Sequence, residues 1–142
     1  MAHIGLISCA SKKRSHAAEA RELYSSPLFT KSREFIEQLC DRWFILSAKH
    51  GLLEPTQVVE PYEETLKKKS GQERKEWAEK VWSALRPIVQ PGDRVTILAG
   101  KRYREFLVPL IVEYGCRVDV PMQGFRIGRQ LQWLSNQIEQ LR

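Results

Sequence analysis

Long apolar runs are missing from this chain: no uninterrupted stretch approaches the roughly 20 residues that a membrane-spanning helix needs. The start, Met1-Ala2-His3-Ile4-Gly5-Leu6, lacks a basic segment followed by a cleavable apolar one, so a cytoplasmic protein is expected. Cysteine is scarce. Cys9, Cys40 and Cys116 are odd in number and far apart, and no C-x-x-C pair occurs, which argues against a disulfide framework or a zinc knuckle. There is no H-E-x-x-H and no carboxylate cluster, so no metal and no other cofactor is expected. The Walker spacing G-x-x-x-x-G-K is absent, as are internal repeats and low-complexity tracts.

What is present is an ordinary globular composition, 42% hydrophobic and 28% charged over 142 residues, enough for one domain with one sizeable core. The net charge of +6 favours a polyanionic partner without specifying a fold.

Short apolar runs alternate with helical patterns. His3–Ser8, Arg42–Ala48, Arg94–Ala99 and Cys116–Val120 read as buried strands. Ser26 and Pro27 form a helix start, an N-cap followed by proline at the first helical position, and the stripe then runs to Leu39. Gly71–Val89, Lys101–Tyr114 (closed by Gly115) and Ile127–Leu141 complete a β-α-β-α-β-α-β-α succession. The expected fold is an α/β three-layer sandwich, a four-stranded mainly parallel sheet with helices on both faces, spanning residues 1–142 as a single domain. A strand order of second, first, third, fourth would place a switch point between the first and third strands, where ligands bind beyond the carboxyl ends.

The segments after the strands carry the chemistry. Ser8-Cys9-Ala10-Ser11-Lys12-Lys13 offers hydroxyls, backbone N–H groups and two cations for an anion. Cys9 is either a small residue packed at a strand end or a nucleophile activated by the lysines. Tyr24 and Ser25, just before a helix, are placed to face the rim. Between Ile45 and Leu66 the chain passes Ser47, Lys49, His50 and Gly51 and returns through Glu60, Pro61 and Tyr62, a connection long enough to be functional or to carry an element of its own. His50 is the best-placed group for proton transfer near neutral pH. The apolar-Pro-Tyr setting of Glu60 suits a raised pKa and general acid or base work. Gly100 and Tyr103 follow the third strand, and Gly124 and Phe125 the fourth, where Phe125 could stack on a planar ligand. Lys67-Lys68-Lys69, Lys101, Arg102, Arg126 and Arg129 could extend a basic surface that contacts phosphates without reading sequence.

The succession S-C-A-S-K-K, L-Y-S-S-P-L-F-T-K-S-R, W-F-I-L-S-A-K-H-G-L-L-E-P, P-Y-E-E-T-L, L-A-G-K-R-Y and P-M-Q-G-F-R-I-G-R-Q-L-Q-W-L resembles a family of small uncharacterised domains from bacteria, archaea and phages, over nearly the whole chain. L-S-A-K-H-G-L-L-E-P with V-V-E-P-Y is also similar to a segment of the larger peroxide-stress proteins of the YaaA type. That likeness implies DNA binding and the limiting of oxidative DNA damage. A fainter likeness, at S-C-x-x-K-K and L-Y-x-S, is to accessory domains of enzymes that handle deazaguanine bases. Those domains and uracil-DNA glycosylases share an α/β sandwich style, but the water-activating motif of the glycosylases is absent here.

Three functions stay open. The first is an enzyme acting on a nucleobase or its N-glycosidic bond, DNA glycosylase-like, on modified or damaged nucleic acid. Tyr24, Tyr62 and Phe125 would form its base slot, Ser8, Lys12 and Lys13 its anion site, His50 and Glu60 the acid and base, and Lys49 the stabiliser of the departing base. The second is a noncatalytic module binding nucleic acid (DNA before RNA) or a nucleotide on the same rim. The third is a hydrolase using Cys9 with His50 or His16.

Overall fold

The computed structural model describes residues 1–142. The four expected strands form, as β1 (His3–Ser8), β3 (Arg42–Ser47), β6 (Arg94–Leu98) and β7 (Arg117–Asp119). β1 pairs in parallel with β3 and with β6, and β6 in parallel with β7, so these four stand in the order second, first, third, fourth.

The count of four is corrected to five. β4 (Gly51–Leu53) turns back antiparallel to β3 and occupies the sheet edge, with Ser47 opposite Gly51 and Ile45 opposite Leu53. Gly51 has φ of +76°, a conformation that L side chains rarely adopt, and it lets the chain reverse within Ala48–His50. A second sheet pairs β2 (Ala18–Glu19) with β5 (Val58–Val59) antiparallel. The long connection therefore carries elements of its own.

The helices start and stop where their chemistry requires. α1 is one turn, Ala20–Leu23. α2 (Pro27–Leu39) opens on Ser26, whose Oγ accepts from the Phe29 N–H at 3.2 Å. A single 3-10 turn at Leu66–Lys68 precedes α3 (Gly71–Leu85), which opens on a capping box: Ser70 Oγ accepts from the Glu73 N–H and Glu73 accepts from the Ser70 N–H. α3 ends four residues before the expected Val89, because Pro87 has no N–H for the Ser83 carbonyl and its ring crowds that carbonyl. The helix expected over Lys101–Tyr114 is broken into α4 (Lys101–Arg104) and α5 (Leu107–Tyr114). Pro109 has no N–H for the Glu105 carbonyl and its ring crowds that carbonyl, which accounts for the break at Glu105–Phe106. α5 ends on Gly115 at φ of +109°, and α6 spans Ile127–Leu141 as expected.

Side chains alternate across the sheet. Ile4 and Leu6 of β1 join Val81 and Leu85 of α3 and Leu107 and Ile111 of α5 in one buried cluster. Ile7 joins Phe29 and Ile36 of α2 and Leu134 and Ile138 of α6 in another. At Gly5 α2 lies close against β1: a Cβ there would sit 2.5 Å from Ile36 Cγ2. No helix is long and apolar enough to cross a membrane.

Candidate functional site

Between β1 and β6 the connections leave in opposite directions, and there the chain leaves an open cleft of about 260 Å³. Its walls come from the carboxyl ends of β1 (Ser8, Cys9) and β6 (Ala99, Gly100), the first turns of α2 (Ser26, Phe29, Ser32), α4 (Lys101, Arg104) and the loop after β7 (Gln123 to Phe125). The floor is apolar, with Ile7, Leu98, Val120 and Met122. Lys101 is exposed and Arg104 half-buried, its Nε donating to the Ala99 carbonyl at 3.2 Å. No Asp, Glu or His lines the cleft. Phe125 is braced from outside by Arg129, whose guanidinium lies 3.9 Å from the ring centroid.

Of the residues expected at the site, Ser8, Cys9, Gly100, Gly124 and Phe125 line this cleft. The others divide into two groups elsewhere. Tyr24 and Tyr62 are buried in the α2–α6 cluster and do not form an open slot. Their hydroxyls meet at 2.5 Å, and Tyr62 Oη lies 2.6 Å from Ser47 Oγ. Ser47 is wholly buried, and its Oγ also accepts from the His50 N–H at 3.0 Å. Ser47, His50 and Gly51 thus build the β3–β4 reversal rather than the wall of a cleft. Lys13 and Lys49 place their ammonium groups 4.5 and 6.0 Å from the Tyr62 ring centroid, and His50 meets the same ring edge-on at 5.3 Å. Burial, then the Lys49 and Lys80 charges, lower the His50 pKa below 6.5. Burial likewise lowers that of Lys13, against the opposing pull of Cys9 and Glu63.

The expected anion cradle after β1 does not form. The Cys9 N–H is taken by the Leu46 carbonyl at 2.9 Å, and Ser11 and Lys12 are exposed. Ser11 and Lys13 instead border a groove shared with Glu63, Glu64 and Glu73, whose carboxylates oppose an anion. Ser25 is exposed, its N–H bonded to the Lys12 carbonyl, and it lies away from the cleft with Arg14 and Arg33. Glu60 is also corrected: it is exposed, so the apolar setting expected for it is not found. Tyr103 stands behind the wall. Its hydroxyl accepts from Cys9 Sγ at 3.7 Å, its ring packs edge-on against Trp77, and burial pushes its pKa up to about 12.

Ser32, Arg104, Gln123 and Gln130 line the cleft without having been singled out in the sequence. Arg104 carried one available signal: four residues after the Gly100 cap of a helix that begins at the rim, it lies on the same face as the cap, whereas Ser32, six residues after Ser26, carried none. No group of three or more His, Cys, Asp or Glu is arranged to hold a metal ion.

The fold and cleft define an α/β domain with an open cleft at a topological switch point of its mostly parallel sheet. Residues 4–136 match the model of a family described as being of unknown function, DUF6884, and the chain belongs to that family. It is also similar to the uncharacterized protein YfjM of Bacillus subtilis (strain 168), with 28% identity over 154 residues covering 99% of this chain and 97% of the relative.

Proposed function

We propose that this domain binds one nucleotide unit in the switch-point cleft, free or as part of a nucleic acid strand. The observation that carries the reading is the composition of the walls: an apolar floor, a braced aromatic at the mouth, two cations and no carboxylate. An apolar slot takes the face of a base, and Phe125 offers it a stacking partner. Lys101 and Arg104 suit the phosphate, because nothing negative in the cleft competes for them. The cavity is below the roughly 300 Å³ of small drug-sized sites, which favours a single ring system over a larger ligand. The net charge of +6 supports a polyanionic partner, and the resemblance of the L-S-A-K-H-G-L-L-E-P segment to YaaA-type proteins is the ground for proposing DNA before RNA. The two hydrophobic clusters support a three-layer sandwich as the frame of the site.

Calorimetric titration with the four nucleoside 5′-monophosphates and with short single-stranded oligonucleotides tests the reading. Saturable binding that weakens in Lys101→Ala and Arg104→Ala is the expected result. Binding that is unchanged in both variants, or no binding at all, would overturn it.

One observation favours a reaction in the same cleft. Cys9 lines it, and among the lining side chains only Cys9, Lys101 and Arg104 are ionisable. A glycosylase-like hydrolysis there would depend on Cys9 and not on His50, Glu60 or Lys49. Mass spectrometry of bases released from oligonucleotides carrying normal and oxidised bases would detect it. The same readout applied to Cys9→Ala, His50→Ala and Glu60→Gln assigns the roles.

A further inference from the structure

Ser32 lies on α2 at only 2% exposure, and it lines the cleft. A serine or threonine inside a helix commonly returns its hydroxyl to the carbonyl four residues back. Thr30 does this to Ser26 at 3.0 Å, and Ser83 does it to Glu79 at 3.0 Å. Ser32 makes no such bond. The single sealed side-chain polar atom without a partner in the chain is Arg21 Nε, so the Ser32 oxygen is not sealed in packing either. It opens to the cleft. Phe29, Leu98 and Met122 line the same cleft and offer a hydroxyl nothing stronger than the weak thioether acceptor of Met122. The hydroxyl at the head of the same helix is already engaged, since Ser26 Oγ holds the Phe29 N–H.

A nearly buried hydroxyl with no partner in the protein is unfavourable unless a ligand supplies one. Gly5 makes the placement possible by letting α2 approach β1, which carries Ser32 inward over the end of the sheet. We propose that the Ser32 hydroxyl reads the edge of the ring seated in the cleft. It selects a heteroaromatic base that turns a ring nitrogen, carbonyl or amino group toward α2, and disfavours one that turns only C–H there. A serine hydroxyl both donates and accepts, so it discriminates polar from apolar edges rather than one base from all others. Ser32 is a specificity-determining residue on this assignment, which rests on the nucleotide-binding reading above.

The test compares wild type with Ser32→Ala against the four nucleoside 5′-monophosphates and against ribose 5-phosphate, which carries the anion without a base. Thermal melts of the unliganded proteins accompany the titrations. The expected result is weaker binding of at least one nucleotide by about five- to tenfold, the value of one neutral hydrogen bond. Ribose 5-phosphate affinity stays unchanged, and unliganded Ser32→Ala melts at the same temperature as wild type or higher. Equal nucleotide affinities in the two proteins, or an equal loss for ribose 5-phosphate, would overturn the role of Ser32 and leave the nucleotide reading standing. A lowered melting temperature for Ser32→Ala would show that the hydroxyl has a partner within the fold, and would overturn it too. Failure of wild type to bind any of the four nucleotides removes the nucleotide reading itself, and this inference with it.

Discussion

The hydroxyls of Tyr24 and Tyr62 lie 2.5 Å apart inside the protein, and Tyr62 passes the contact on to Ser47 at 2.6 Å. This chain of three hydroxyls ties the segment before α2, the return from β5 and the end of β3 into one network. Burial pushes both phenol pKa values upward, so both stay protonated across the physiological range. Tyr62→Phe removes the middle member and leaves two buried hydroxyls short of a partner. The expected cost is about 1–3 kcal/mol in chemical denaturation, with nucleotide affinity unchanged. A variant that unfolds at wild-type denaturant concentrations would contradict a structural role for this network.

Cations divide into those with a free approach to the cleft and those already engaged. Lys101 and Arg104 line the cleft, while Lys13 lies over the Tyr62 ring and beside Glu63 and Glu64. Lys101→Ala and Arg104→Ala are each expected to weaken oligonucleotide binding and to lower the slope of log K against log salt by about one. Lys13→Ala is expected to leave that slope unchanged. Titrations at several salt concentrations separate the two groups.

Acid stability follows from two histidines. Burial and the Arg94 charge lower the His3 pKa, and burial with Lys49 and Lys80 lowers that of His50, both from 6.5. The folded chain therefore holds fewer protons than the unfolded chain just below pH 6.5. Stability is fully present above that value and falls as the pH drops through the lowered folded values. His3→Gln combined with His50→Gln is expected to flatten the stability profile between pH 7 and 5. The steeper loss at lower pH remains, because Asp93 is held below its usual 3.8 by the Ala2 and Gln90 N–H groups. Denaturant titrations at half-unit pH intervals measure both parts. A double variant that tracks wild type from pH 7 to 5 would refute the first.

The strands of the parallel core were legible because each is a short run of consecutive apolar residues, as a strand buried on both faces requires. The order followed from the alternation with helices, since right-handed crossovers leave few arrangements. β4 was not legible. Gly51-Leu52-Leu53 is too short to show a period, and its pairing depends on Gly51 turning left-handed beside Ser47. The break between α4 and α5 is encoded in Pro109 but masked by an apolar stripe that continues across it. Position after a strand anticipated that Ser8, Cys9, Gly100, Gly124 and Phe125 would line the cleft. Tyr24, placed just before a helix, and Tyr62, on the return of the long connection, lie in the core instead with Ser47, since nothing local distinguishes a tyrosine facing a rim from one whose hydroxyl is satisfied in the core. Ser32 was invisible for the converse reason: an isolated serine in a helix is unremarkable until its missing partner is seen.

The three cysteines differ in access, and that difference reports on the cleft. Cys9 is partly exposed and lines the cleft, whereas Cys116 is buried and burial pushes the Cys40 thiol up to about 12. A thiol held so far above neutral pH supplies almost no thiolate, and a buried one is reached only through local opening. Limited iodoacetamide at pH 8 is therefore expected to label Cys9 well before Cys40 and Cys116, read by peptide mass spectrometry. Saturating nucleotide should slow the labelling of Cys9 alone, because the ligand and the reagent would compete for the same space. Cys9→Ser keeps the size of the side chain at the end of β1 and is expected to retain nucleotide binding. It would still abolish any hydrolysis that proceeds through a thiolate. Labelling of Cys9 that is indifferent to ligand would place the bound nucleotide away from β1 and count against the cleft as its site.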